Sequence, residues 1–223
     1  MNGLYKYPRT PHFPWSRKSD QDDRVLGDVN HFLGKQVIMT EKLDGENTSM
    51  YPIHYHARSR SSGSHPSRTL VKQVHASIRH NIPQGWRLCG ENLYAKHSIF
   101  YDRLTAYFYL IGIYDDGNTC LSWDDTQEWA CLLDVPTVPV LYEGIWDEDR
   151  IRDLWPRASA FGHTCEGYVV RTRDAFPYQD FGLHVAKYVR PRHVQTSQHW
   201  MKQPLTPNTL IGGVDVAVRQ GGI

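Results

Sequence analysis

Glu41-Lys42-Leu43-Asp44-Gly45-Glu46-Asn47 is the stretch on which the reading of this 223-residue chain turns. Just upstream, residues 36–41 are rich in β-branched side chains and predict a strand. Asp44-Gly45 predicts a tight turn into further strands over residues 48–51 and 53–58, together a meander. A lysine at a strand end beside such a turn projects its amine into whatever cleft the sheets form. Lysine is a covalent nucleophile only as the neutral amine. With an ordinary pKa near 10.4, roughly one molecule in a thousand is ready at neutral pH. Desolvation or a neighbouring cation is therefore expected to depress the pKa of Lys42. Average residue usage produces Lys-x-Asp-Gly by accident in roughly one chain in twenty of this length, so the motif alone decides little.

Working outward, Val25, Leu26, Val29, Phe32 and Leu33 recur at helical spacing and predict a short amphipathic helix. Residues 60–67 read as a polar loop. Ser67 is placed to cap a helix bearing Leu70, Val71, Val74 and Ile78, which Pro83 stops. Strands are predicted at 86–90, 106–114, 119–123, 138–142, 166–173 and 183–190, with acidic helices near 124–133 and 147–155. The end of the chain, rich in Gln, Pro, Asn and Gly, reads as an irregular tail. Strands in adjacent, hairpin-like pairs predict an α+β class with antiparallel sheets.

Hydrophobic residues make up 40% of the chain and aromatics 12%, enough for a packed core. The longest nearly apolar run, 106–114, is too short to span a bilayer. The first twenty residues are basic and Pro-rich without an apolar stretch, so no secretory signal is expected. Four scattered cysteines without CxxC spacing suit a reducing cytoplasm and argue against a structural zinc site. His54-x-His56 lacks a third ligand nearby and reads as a polar strand face. The net charge of +1 hides an asymmetry. Residues 115–153 hold eleven acids against Arg150 and Arg152, so the remainder is strongly basic, with 17 arginines among its cations and theirs. Arginine's planar fork suits phosphate, and the asymmetry suggests a polyanionic partner.

Lys42-Leu43-Asp44-Gly45 has company, in order. Leu88-Cys89-Gly90-Glu91, the aromatic segment Tyr107-Phe108-Tyr109-Leu110-Ile111-Gly112-Ile113, Glu166-Gly167-Tyr168-Val169 and Val185-Ala186-Lys187-Tyr188 follow it. The series resembles the motifs of the covalent nucleotidyltransferases, which include ATP-dependent ligases and mRNA-capping enzymes. Glu41 and Asn47 make the wording most similar to RNA ligases of the RNA ligase 2-like group. The resemblance covers residues 41–190 and implies a nucleotidyltransferase domain over 1–192 with a tail over 193–223. DNA ligases and capping enzymes usually carry an OB-fold after the last motif, and 33 residues after Arg190 are too few for one. No accessory domain is visible, and an accessory protein subunit is one way to supply it.

The resemblance implies ATP and Mg²⁺ (or Mn²⁺) as cofactors and RNA 5′-phosphate and 3′-hydroxyl ends, possibly in a nicked duplex, as partners. Lys42 would take AMP covalently, pass it to the 5′-phosphate, and release it as the strand is sealed in RNA repair. Glu91 and Glu166 would contact ribose and hold the divalent metal; Lys187 would meet the α-phosphate. The related enzymes carry two lysines one residue apart there, whereas this chain has Val185 and Val189 at the flanking positions. Phe108 is chosen on strand parity to stack on adenine. Arg58, with Arg60 as the competing alignment, would touch the ribose. Glu41 would help define the adenine pocket, and Asn47 would orient RNA or adenylate. Arg60, Arg68, Arg79, Arg171, Arg173 and Arg192 are candidate contacts for the RNA backbone. The rival readings are a DNA ligase or capping-type enzyme on the same core, and a non-catalytic nucleic-acid-binding module.

Overall fold

A central strand buried on both faces organises the molecule. The computed structural model describes residues 3–16, 23–61, 63–162, 164–191 and 204–212. In it β1 (Gln36–Lys42) lies between β7 (Val140–Ile145) and β8 (Gly167–Thr172), and β8 pairs in turn with β10 (Val185–Val189), all antiparallel. Protein on both sides accounts for the complete burial of Val37, Ile38 and Met39. Alternation then sorts the sheet. Val37, Met39, Tyr168, Val170 and Ala186 join Phe13, Phe32 and Trp146 in one apolar cluster. Thr40, Val169, Arg171, Val185 and Lys187 line a cavity instead.

The second sheet runs β3 (Tyr55–Ala57), β2 (Glu46–Met50), β4 (Arg87–Asn92), β5 (Phe108–Tyr114), β6 (Thr119–Cys120) and β9 (Phe176–Pro177). Helices α1 (Thr69–Ile78) and α2 (Trp123–Leu132) cover its outer side, where Val71, Ile78 and Ala130 pack with Met50, Leu88, Phe108, Leu110 and Ile113. Its inner side faces the same cavity through Asn47, Glu91, Ile111, Gly112 and Tyr114. The short helix α3 (Glu148–Asp153) seats Ile151 in the cluster of the first sheet. The α+β class with antiparallel sheets is thus observed.

Three local expectations are corrected. Asp44-Gly45 does not close a hairpin: β1 and β2 belong to different sheets, and the dipeptide is the crossing between them. Glycine is needed there because a Cβ at position 45 would lie 2.5 Å from the Asn92 carbonyl oxygen. The expected helix over 25–33 is a single 3-10 turn, Asn30–Phe32. Residues 24–26 are drawn into extended pairing with residue 12 instead, and Val25 and Leu33 are exposed. Ser67 sits within a 3-10 turn, Pro66–Arg68, whose cap is His65, so it does not cap α1.

Residues 204–212 have no helix or strand but are anchored. Asn208 is buried, its amide donating to the Leu93 carbonyl at 2.7 Å and its oxygen accepting from the Tyr101 amide at 2.9 Å. The cysteines are free thiols. Among the described residues no helix is long and apolar enough to cross a membrane.

Candidate active site

The cavity between the sheets has a volume of about 360 Å³. Lys42 enters it from the end of β1, with its ammonium 2.6 Å from Glu166 Oε2. Glu166 immediately precedes β8 and is buried. The residue after it has to be glycine, since a Cβ at Gly167 would come within 2.0 Å of the Tyr188 carbonyl oxygen. Glu91 reaches the cavity from β4 and accepts from the Gly45 amide at 3.2 Å. Asp44 turns away to cap the loop, accepting from the amides of Ser98 and Ile99 at 2.7 and 2.8 Å. Thr40, Val169 and Lys187 form a row of cross-strand neighbours on the cavity face.

The charges are strongly coupled. Burial pushes the Glu166 carboxyl up to about 7, with Lys42 pulling it back and Asp44 adding to the rise. Glu91 is pushed up to about 8 by burial, again against the pull of Lys42. For Lys42, burial lowers the pKa, but Glu166, Glu91 and Asp44 together outweigh it, so the ammonium is held above its ordinary range. The expectation of a depressed nucleophile is therefore corrected for this state: three acids surround the amine. Lys187 lies below the usual lysine range, through burial and the charge of Lys42.

Glu41 is fully buried. One carboxylate oxygen accepts from the Ala160 amide at 2.9 Å, while Oε1 has no hydrogen-bond partner among the described residues. Asn47 lines the cavity with its Oδ1 likewise unmatched among them. Arg58 also lines it, with Nε donating to the Tyr7 carbonyl at 3.4 Å; Arg60 does not, and donates to Leu4 instead.

Phe108 is not in the cavity, which corrects the parity choice. It is 2% exposed in the outer cluster, and its ring fills the space over Gly90, where a Cβ would lie 2.3 Å from Cζ. The cause is a bulge. Cys89 pairs with Gly112 and Gly90 with Leu110, which leaves Ile111 unmatched and reverses the alternation beyond it. Ile111 lines the cavity instead, together with Val169 of the other sheet. An isolated glycine within a strand pattern, here Gly112, was the available signal for that bulge.

Three arginines expected on an RNA-facing surface are otherwise engaged. Arg68 is buried in a forked ion pair with Glu46. Arg171 is buried in the cavity wall and donates to the Leu121 carbonyl at 2.7 Å. Arg173 pairs with Asp124 and Glu143 on the acidic side. Arg79 is exposed, and Arg192 lies outside the described residues.

The fold matches that of solved RNA ligases. The chain is similar to the Naegleria gruberi RNA ligase in a lysine-to-methionine mutant with AMP and Mn (TM-score 0.53, 17% identity, 84% of this chain and 62% of that one). It is likewise similar to that ligase with PPi (TM-score 0.52, 20% identity, 72% and 51%). The chain thus spans between about half and three fifths of the length of these ligases. No curated protein sequence matches it significantly. The RNA ligase family profile matches residues 35–189, and the chain belongs to the RNA ligase family.

Proposed function

We propose that the chain is an ATP-dependent RNA ligase of the RNA ligase 2-like group, acting in cytoplasmic RNA repair through a lysyl-AMP intermediate on Lys42. The observation that carries this reading is the 2.6 Å contact of the buried Glu166 with Lys42, which lines one cavity together with Glu91 and Lys187. Once deprotonated, Lys42 Nζ attacks the α-phosphorus of ATP. The N–P bond forms as the bond to the β-phosphate oxygen breaks, and pyrophosphate leaves. An RNA 5′-phosphate oxygen then displaces the lysine, and a 3′-hydroxyl displaces AMP to seal the strand. Each step is a displacement at phosphorus, so positioning and charge neutralisation carry the catalysis. Lys187, on the same face as Val169, offsets charge building on the phosphate. Ile111 and Val169, one from each sheet, are placed to sandwich the purine. The unmatched Glu41 Oε1 is an acceptor suited to its amino group.

The donor set fits a divalent cation. Two carboxyls, Glu166 buried and Glu91 partly so, face one ammonium, and once both are ionised they leave an excess of negative charge. Among the described residues no three His, Cys, Asp or Glu side chains gather to hold a metal alone. That matches magnesium, which takes one or two carboxylates and completes its shell with water and substrate phosphates. Glu91 and Glu166 would hold such a cation, which would offset the charge that keeps Lys42 protonated and supply Lewis-acid polarisation of the phosphate.

Incubation with α-labelled ATP and magnesium, followed by a denaturing gel, tests the reading. A labelled polypeptide is expected, and RNA nicks should be sealed in preference to DNA nicks. Labelling from GTP alone would indicate a capping-type enzyme, and labelling by no nucleotide would end the proposal.

A second test separates the two aromatic and aliphatic positions on β5. Ile111→Ala should raise the ATP concentration needed for half-maximal labelling about tenfold, in line with the loss of roughly 1–2 kcal/mol of apolar contact. Its melting temperature should fall by less than that of Phe108→Ala, because Ile111 is only half-buried against two of the core clusters. Phe108→Ala should instead cost about 3–5 kcal/mol of stability, as a large core deletion does, and show its defect in thermal melts.

Stability should also report the acid pair. Glu166 and Glu91 hold protons in the folded state at pH values where the unfolded chain has lost them, so folding weakens as pH rises through about 7 and 8. The histidines with lowered pKa act in the opposite sense, but chiefly below 6.5; His12, held down to about 4, is one. Lys42, raised above 10.5, is silent in this range. From pH 6.5 to 8 the melting temperature should therefore fall by about 5–10 °C, since the proton losses of the two carboxyls together are worth about 2 kcal/mol over that range. Magnesium should recover more of it at pH 8 than at pH 6.5. A melting temperature flat in pH and blind to magnesium would contradict the charge assignment.

A further inference from the structure

Lys187 is the cation β10 presents to the cavity, because its neighbours on that face, Val185 and Val189, are apolar. A long ammonium side chain directed at a phosphate loses rotamer freedom unless something already holds it. The N-terminal segment supplies such a hold. Phe13 donates its amide to the Lys187 carbonyl at 2.8 Å, and Lys187 donates to Pro11 at 2.9 Å, so residues 11–13 run parallel beside β10. On their other side His12 donates to Arg24 at 2.7 Å and accepts from Leu26 at 2.9 Å.

These backbone pairings gather side chains that are distant in sequence. His12 is completely buried, with Nε2 3.2 Å from Asp23 Oδ2. Asp23 Oδ1 is 3.7 Å from Lys187 Nζ. Behind them Ser16 Oγ lies 2.8 Å from His12 Nδ1 and accepts from the Val189 amide at 3.0 Å. That arrangement fixes the tautomer. With the serine hydrogen given to Nδ1, the imidazole hydrogen is on Nε2, which is in contact with the Asp23 carboxylate at 3.2 Å although outside hydrogen-bond alignment with it. The opposite tautomer would leave the buried hydroxyl hydrogen without an acceptor among the described residues and set the Nε2 lone pair against the carboxylate. Burial and the charge of Lys187 keep His12 neutral at working pH.

We propose that Ser16, His12 and Asp23 form a relay that positions the Lys187 ammonium for the phosphate it is to meet. His12 and Asp23 are positioning residues that act through Lys187, Asp23 from the cavity wall and His12 from behind it. The phosphate itself rests on the ligase reading above, whereas the relay is a property of the free protein. The charged groups around Lys187 are Lys42, Asp23, Glu166 and Arg58. Of the two acids among them, Asp23 is the one not already paired with Lys42.

Two arms test the relay in the full chain. In the first, lysines are reductively methylated with ¹³C and titrated by NMR, with the Lys187 signal assigned by its loss in Lys187→Arg. Asp23→Asn should lower the Lys187 pKa by about one unit, because it removes an attracting charge. His12→Gln should move it less, in the same direction, and Asp23→Glu should restore it. In the second arm, single-turnover formation of the labelled adduct is followed. Asp23→Asn should slow it about tenfold to a hundredfold at saturating ATP, with the half-saturating ATP concentration changed less than about threefold. Combined with Lys187→Ala it should add no further loss. An unchanged Lys187 titration, or losses that multiply in the double variant, would overturn the proposal. If the wild-type chain forms no adduct, the ligase reading fails, and the titration still decides the relay.

Discussion

Lys42→Ala is expected to abolish the nucleotide adduct, with labelling from α-labelled ATP falling by roughly 10⁴-fold or more, as when a covalent nucleophile is deleted. The deletion also removes the ammonium 2.6 Å from Glu166. Breaking a buried pair can cost about 3–5 kcal/mol when the remaining charge has no escape. Glu166 has one. With a pKa already at about 7, it takes up a proton at little expense, so the melting temperature should drop only by a few degrees. Lys42→Arg separates the two roles. It keeps a cation beside Glu166 and should melt close to the wild type, yet a guanidinium with a pKa above 12 is no nucleophile at neutral pH. RNA binding should survive in both variants. Persistent labelling of either would place the nucleophile elsewhere.

Lys42, Glu91, Glu166 and Lys187 could be picked out because each lies in a short local motif; in the structure Lys42, Glu91 and Lys187 line one cavity, and Glu166 touches Lys42. What depended on register or on long-range pairing could not. Asp44-Gly45 carries the composition of a hairpin turn, and nothing local distinguishes that from a crossing between sheets. Phe108 was misassigned because one unmatched residue in β5 reverses which side chains face inward. Arg68, Arg171 and Arg173 look like surface cations in sequence, but each finds its partner far along the chain. His12, Asp23 and Lys187 meet only because residues 11–13 pair with β10. The ionisation of Lys42 is likewise set by carboxylates 49 and 124 positions away, at Glu91 and Glu166. A sequence supplies the need for a reactive amine; only the packed site says which way its pKa moves.

Glu166→Gln sets two effects of that packing against each other. Loss of the carboxylate removes a charge that keeps Lys42 protonated, so a larger fraction of the amine becomes neutral. Acting alone, this would speed adduct formation by at most about tenfold per unit of pKa lowered. The substitution also takes away one of the two carboxylates available to a divalent cation. Preorganised charge stabilisation at a reacting phosphate is typically worth about 10²–10³-fold per group. The second effect should win. Adduct formation at saturating ATP is expected to fall at least about a hundredfold, and more magnesium should be needed for half-maximal rate. The rising limb of the pH–rate profile should move to lower pH, because the freed lysine sheds its proton sooner. A merely structural defect would lower the rate without moving either the magnesium requirement or the pH profile. A rate equal to or above wild type would mean that Glu166 restrains the lysine and holds no cation.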